Sequence, residues 1–421
     1  MKIGFAKINI SPPVGMELAG YAGYRPCAGV HDPLWCKAVV LEQEGMRYAL
    51  VVLDLMCVDE PLYHQIAQTL APLGISREKL IVSAIHSHAA PQGMLPGEGI
   101  LAGINNPCHP EDPAIKAYMK LVIEAALEAC TCAVADLESF QIRVAKAAVP
   151  PVGSERHTGT PVDGEMVVLQ CRTQSGRILT IYNFPCHPTV LSAENLLASA
   201  DFVGRIEGML GGEMTVFLNG AAGDISTRFT RRESTFEECD RKARIAAEAV
   251  QMAIESAHWE APLPLQGIHT TVILQARETE PLDQAEEKLT RATARWQQAM
   301  DRGEDPAQVR LLKTYVEGAW VNREFARALG NVRQLRLPVT VFRFCGVDFV
   351  AIPGELFSAL KPEGLAVIGY ANGYFRYIAG KAAYDAGCYE ALAAILARGE
   401  GERLMDVVMD LVAALHDGKN K

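Results

Sequence analysis

Short apolar runs alternate along this chain with longer stretches of helical period. Alternating or continuous apolar positions at 3–8, 35–42 and 48–54 predict strands, the last two joined as a hairpin around Gln43-Glu44-Gly45. Residues 60–75 have helical spacing and lead to Leu80-Ile81-Val82, a continuous apolar run of the kind that fills a buried strand. Helices predicted over 114–133, 202–210 and 236–256 are interleaved with strands at 140–145, 166–172, 178–184 and 214–218. Further strands follow at 268–276, 339–344 and 349–352, and 391–416 reads as an amphipathic C-terminal helix. Residues 279–329 are polar, charged and helical in period with a break at 303–306, which predicts a helical hairpin on the outside of the core. This alternation predicts an α/β fold: a layered mixed β-sheet core flanked by helices, one domain over 1–421 with the hairpin inserted into it.

Composition narrows the function classes. With 421 residues, 49% of them hydrophobic, the chain can bury a large core without disulfides. A net charge of -10 and the absence of a dense Lys/Arg stripe argue against a nucleic-acid partner. No apolar run is long enough to cross a bilayer, and the start Met1-Lys2-Ile3-Gly4-Phe5 is too short and broken for a secretion signal, so a cytoplasmic location is expected. The 11 cysteines are scattered, several in apolar runs (Cys57, Cys186, Cys345), as expected of reduced buried thiols. Cys130-Thr131-Cys132 has no partner pair and reads as structural. Self-association into a homo-oligomer is left open.

The candidate chemistry sits at strand ends. The run 80–82 continues as Ser83-Ala84-Ile85-His86-Ser87-His88 and breaks at Pro91. Side chains two apart on a strand face the same way, so His86 and His88 can project toward one site suited to a metal ion. The alternative is that they cap the strand against solvent or a carbonyl. A second strand, 178–184, stops at Pro185-Cys186-His187-Pro188, and a third, 349–352, stops at Pro353-Gly354-Glu355. Asp54, closing the 48–54 strand, is either a helix cap or a partner for a ligating histidine. The small residues of 219–226, which end in Asp224-Ile225-Ser226, either let backbone amides approach a ligand or serve only the turn; without Gly-Lys-Ser/Thr they are no P-loop. Residues 146–164 read as loop with the cluster Glu155-Arg156-His157, and the Gly/Pro-rich 91–113 reads as a lid or substrate wall. The segment 369–377 is dense in tyrosine, with Tyr384 and Tyr389 beyond it.

As a set, His-Ser-His before Pro-x-Gly, Cys-His-Pro-Thr at 186–189, Gly-Asp-Ile-Ser at 223–226, Pro-Gly-Glu-Leu-Phe at 353–357 and Asn-Gly-Tyr-x-x-Tyr at 372–377, with Tyr389-Glu390 downstream, resembles the neutral/alkaline non-lysosomal ceramidase family. His31-Asp32-Pro33-Leu34 and Ser199-Ala200-Asp201 fit the same order, and the likeness spans nearly all of 1–415. The resemblance implies a zinc-dependent hydrolase of a carbon–nitrogen amide bond, with Zn2+ held by His86, His187, Glu355 and Tyr377. It further implies His88 as general acid/base, Tyr389 as a donor to the developing oxyanion and Ser226 as the catalytic serine. Against the family pattern, Lys146 stands for the arginine before the His-Pro-Thr strand, and Thr227-Arg228 follow Ser226 in place of Pro-Asn. Without the secretion signal and C-terminal β-sandwich of true ceramidases, the chain reads as a short intracellular relative whose partner is a small-molecule or N-acyl amide rather than membrane ceramide. A metal-dependent esterase or phosphoesterase and a non-catalytic metal-stabilised binding protein are the alternatives.

Overall fold

In the computed structural model, which describes residues 1–21, 23–95 and 113–417, three successive four-stranded units share one topology. The first contains β1 (Lys2–Asn9), β2 (Trp35–Gln43), β3 (Met46–Leu53) and β4 (Leu80–Ala84). The second contains β5 (Glu138–Ala148), β6 (Glu165–Thr173), β7 (Ile178–Phe184) and β8 (Met214–Asn219). The third contains β9 (Gln266–Gln275), β10 (Gln334–Phe344), β11 (Val347–Ala351) and β12 (Leu365–Ile368). In each unit the first strand pairs antiparallel with the second, the second antiparallel with the third, and the third parallel with the fourth. A tight turn joins the second strand to the third each time. Positive φ at Glu44-Gly45, at Gly176 and at Cys345-Gly346 gives these turns the left-handed backbone that matches strand twist.

The helices repeat as well. A parallel fourth strand needs a crossover, supplied in the first unit by α1 (Glu60–Leu70), after which α2 (Pro113–Ala135) packs on β1 and β2. In the second unit α3 (Val203–Leu210) lies in the crossover, and α4 (Phe236–Glu255) packs on β5 and β6. Between β9 and β10 the third unit carries the hairpin α5 (Leu282–Asp301) and α6 (Pro306–Leu329). After β12 come the short α7 (Lys381–Ala386) and α8 (Tyr389–Leu392), then α9 (Glu400–His416), which packs on β9 and β10.

Two contacts at the start of β1, Lys2 opposite Ser139 and Ile3 opposite Glu138, merge the first two units into one eight-stranded sheet. Its order is β8-β7-β6-β5-β1-β2-β3-β4, and β9 to β12 form a separate sheet. The fold is α/β, and its largest apolar cluster draws on all three units, among them Ile3, Val168 and Phe349. The three fourth strands meet at their carboxyl ends in a closed ring. Ala84 N–H donates to Tyr370 O (3.2 Å), Gly369 N–H to Asn219 O (2.8 Å), and the Asn219 side-chain amide to Ile85 O (3.1 Å).

Three expectations change. The final helix begins at Glu400 instead of 391, because 393–399 leaves the helical path through turns and Leu396 bridges to Ala276 beside β9. Loop 146–164 contains a bridge, Ser154–Glu155 pairing with Ile225–Ser226. Strand β12, four residues long, has no counterpart among the predicted strands. Most of the 91–113 loop lies outside the described residues. No helix among those described is long and apolar enough to cross a membrane, and the ten described cysteines are all free thiols.

Candidate metal centre

The ring of strand ends places side chains from all three units around one point. After β4 the chain follows β3 a little further, with Ile85 N–H bonded to Leu53 O and His86 N–H to Leu55 O. His86 then takes a left-handed backbone, φ 70°, a costly conformation for a non-glycine residue that persists only where its surroundings enforce it. Its ring stacks on Tyr370 at 4.1 Å, and Nδ1 lies 2.7 Å from Met56 O. With Nδ1–H donated to that carbonyl, Nε2 presents its lone pair to the centre, the usual orientation of a ligating imidazole. His187 repeats the device with Nδ1 2.9 Å from Ile225 O. Asn219 ties the two histidine loops together, accepting from Cys186 N–H while donating to Ile85 O.

Glu355, 2% exposed, closes the third side. Its Oε2 lies 3.0 Å from His187 Nε2 and 3.5 Å from His86 Nε2, and its Oε1 accepts a 2.5 Å hydrogen bond from Tyr374. His187 Nε2 and Glu355 Oε2 are both buried without a hydrogen-bond partner. Two ligand atoms this close, desolvated and not bonded to each other, are what a metal ion's coordination shell leaves behind, and the His/His/Glu donor set suits a divalent cation such as zinc. Burial pushes the His86, His88 and His187 imidazoles well below the ordinary histidine range, so all are neutral and able to ligate near neutral pH.

His88 comes closer to the other imidazoles than an acid/base role requires. Its Nε2 is 3.2 Å from His86 Nε2, and the ligand atoms of His86, His88 and His187 lie within 4.8 Å of one another. The reason differs from strand alternation, since β4 ends at Ala84 and the left-handed turn at His86 brings the two rings together. Gly20 backs the His88 ring so closely that an added Cβ would fall 2.3 Å from its Cγ, and glycine's φ of 91° is itself demanding.

Tyr377 pairs with Glu355 through the backbone, and its hydroxyl accepts from Arg156 Nη1 at 3.3 Å. Burial, then the Glu355 charge, holds its phenol far above the ordinary range and so protonated. The tyrosine that touches Glu355, however, is Tyr374, which sequence reasoning left unassigned within the tyrosine-dense segment. Tyr389 stands at the cleft mouth, 64% exposed, its ring 6.3 Å from that of Tyr377. Ser226 is buried and bridged through its backbone to His187; its hydroxyl accepts from Arg228 N–H at 3.4 Å.

Arg156 is the main residue that the sequence reading passed over. Its Nη1 reaches both Tyr377 and Glu390 Oε1, the latter at 3.0 Å. Burial works against its charge, but Tyr377, Glu355 and Glu390 outweigh it and hold the guanidinium above the usual arginine range. Lys146, the expected stand-in, points outward from β5 to Glu165 at 3.0 Å. The Glu155-Arg156-His157 cluster was a visible signal without a chemical reading. Asp54 neither caps a helix nor meets a histidine: its carboxylate accepts from Trp35 N–H at 2.9 Å, while Asp59 caps α1.

His86, His88, Glu355, Tyr374, Tyr377 and Tyr389 face a cleft of about 720 Å³ whose walls include Met16, Leu18, Ile115 and Met119, with Lys313 and Trp320 of α6 on one side. A family model described as neutral/alkaline non-lysosomal ceramidase, N-terminal, matches residues 1–254. Among solved structures, a neutral ceramidase from Pseudomonas aeruginosa superposes with a TM-score of 0.74 at 17% identity, covering 99% of this chain and 74% of that one. A ceramidase complexed with C2 gives 0.73 at 16% identity, covering 99% and 75%. No curated protein matches the sequence.

Proposed function

Because the chain belongs to the neutral/alkaline non-lysosomal ceramidase family, we propose that it is a zinc-dependent hydrolase of a carbon–nitrogen amide bond, acting on a small or N-acyl amide as one catalytic unit. Family and fold support a hydrolase acting on amides. The observation that carries the finer reading is the convergence of His86, His187 and Glu355, with His187 Nε2 and Glu355 Oε2 desolvated and unbonded. A zinc ion held there, with Tyr377 as a fourth ligand, would supply Lewis acidity for carbonyl polarisation and water activation.

The chain's own residues do the rest. Met56 O and Ile225 O fix the tautomers of His86 and His187, and Tyr374 fixes the Glu355 carboxylate. His88, neutral and beside the centre, accepts a proton at one ring nitrogen and returns it to the leaving amine. Arg156, with its charge secured, and Tyr389 at the mouth aim donors at the oxygen that gains negative charge. Ser226 positions the substrate beside His187. The apolar wall takes the acyl portion, and a reducing compartment such as the cytoplasm suits the free thiols.

The test is elemental analysis of protein purified without an affinity metal, paired with turnover of N-acyl amides, aryl esters and phosphates. His187→Ala should hold about one zinc per chain fewer than the wild type, and amides should be cleaved in preference to the other substrates. A zinc content unchanged in the variant, or phosphates preferred, would overturn the assignment.

A further inference from the structure

Behind Arg156, away from the histidine centre, a second group of ligating side chains gathers where the loop after β5 meets the start of α8. His157, Cys388 and Glu390 bring one ligand atom each to within 4.8 Å of the others. Glu390 is 2% exposed, and its Oε1 is occupied by Arg156 at 3.0 Å. The other oxygen, Oε2, lies 3.0 Å from His157 Nε2, yet it is buried without a hydrogen-bond partner. A desolvated carboxylate oxygen left without a hydrogen bond, with an imidazole and a thiol in reach, leaves room for a cation to satisfy it. Glu355 Oε2 in the first centre is likewise buried without a partner, 3.0 Å from an imidazole nitrogen.

We infer that His157, Cys388 and Glu390 form a second metal site for a borderline-soft divalent cation of the zinc class. The donor types support that class: imidazole nitrogen, thiolate sulfur and carboxylate oxygen all ligate zinc at about 2.0–2.3 Å, and three such ligands leave a tetrahedral ion one open position. Hard cations, which take oxygen ligands almost exclusively, are disfavoured by sulfur and nitrogen. The half-exposed His157 leaves that fourth position to solvent, so the ion has an entry path. Cys388 is a free thiol in the metal-free chain. On ligation the S–H bond breaks, a metal–sulfur bond forms and the proton passes to solvent, with no change of oxidation state. The site shares no ligand with the histidine centre, and it stands whether or not the chain hydrolyses amides.

Cobalt(II) is a suitable probe because a thiolate ligand gives it a charge-transfer absorption that imidazole and carboxylate alone do not. The full-length protein, loaded with one equivalent of zinc, is titrated with cobalt(II). The band should saturate at about one cobalt per chain and be absent in Cys388→Ser. In His157→Ala the midpoint should rise by more than the ~10–100-fold that losing an outer-shell partner costs. The band should persist in His86→Ala titrated without added zinc, where only the first centre is disabled, and in zinc-loaded Cys132→Ser, which removes the exposed cysteine of α2. No band in the wild type, a band surviving Cys388→Ser, or a band lost with His86 would overturn the inference.

Discussion

At the scale of single residues, the chemistry was easier to read than the geometry that delivers it. His86, His187 and Glu355 each follow an apolar run broken by a nearby proline, so their convergence was legible. What was not legible is that His86 leaves the strand in a left-handed turn, or that Tyr374 rather than Tyr377 bonds Glu355, since both depend on how the ring of strand ends closes. Asp54 shows the same limit. A carboxylate at a strand end reads as a helix cap or a histidine partner, but pairing of β2 with β3 hands it the Trp35 N–H instead. Burial raises its pKa from 3.8 to about 6, so between those values the native state holds a proton that the unfolded chain releases. Stability therefore falls as pH rises through that window and is flat above it, by up to about 3 kcal/mol for a shift of this size. Asp54→Asn keeps an acceptor but does not titrate. Urea unfolding should show the variant gaining on the wild type between pH 4 and pH 7, and a constant difference across that range would rule the explanation out.

At the scale of elements, periodicity succeeded where an element buries its own face and failed where a partner decides. The α5–α6 hairpin was predicted from its period, and both helices form with the break at the expected place. Residues 393–399 also suit a helix, yet 394–397 lie along β9, held there with the help of Arg277, which donates to Leu392 O and Ala394 O. Strand β12 was invisible because four apolar residues carry no period, and only pairing with β11 makes them a strand. The hairpin is more than a solvated face, since Trp320 reaches the cleft. Trp320→Ala removes apolar surface that ground state and transition state use alike. For an N-acyl substrate KM should rise roughly tenfold while kcat stays within about twofold. Steady-state kinetics decide this, and a fall in kcat at unchanged KM would contradict it.

At the scale of the whole molecule, the threefold repetition explains why the site lies where it does. Three units of one topology, each with a parallel fourth strand, bring three strand ends to one axis, and each unit contributes a different side chain there. The recurrence of a strand end beside a proline hinted at this, but the sequence shows no repeat, because what recurs is the order of strand pairing. The first-to-second-strand connection is the variable part: in the first unit it lines the cleft with Met16 to Tyr21, and the third unit carries the helical hairpin.

The ring that joins Ala84, Tyr370, Asn219 and Ile85 has a consequence for how the molecule opens. No single unit owns the histidine centre, so any fluctuation that undocks one of the three abolishes it. An ion bound there resists only those openings and leaves local fraying untouched. Hydrogen exchange followed residue by residue, with and without one equivalent of zinc, should slow by a common factor along β4, β8 and β12, while the last turn of α9 exchanges at an unchanged rate. Slowing confined to the amides beside one ligand would mean that the three units open independently; a shared factor would make the ion a fastener of tertiary assembly, one that senses whether the third unit has docked.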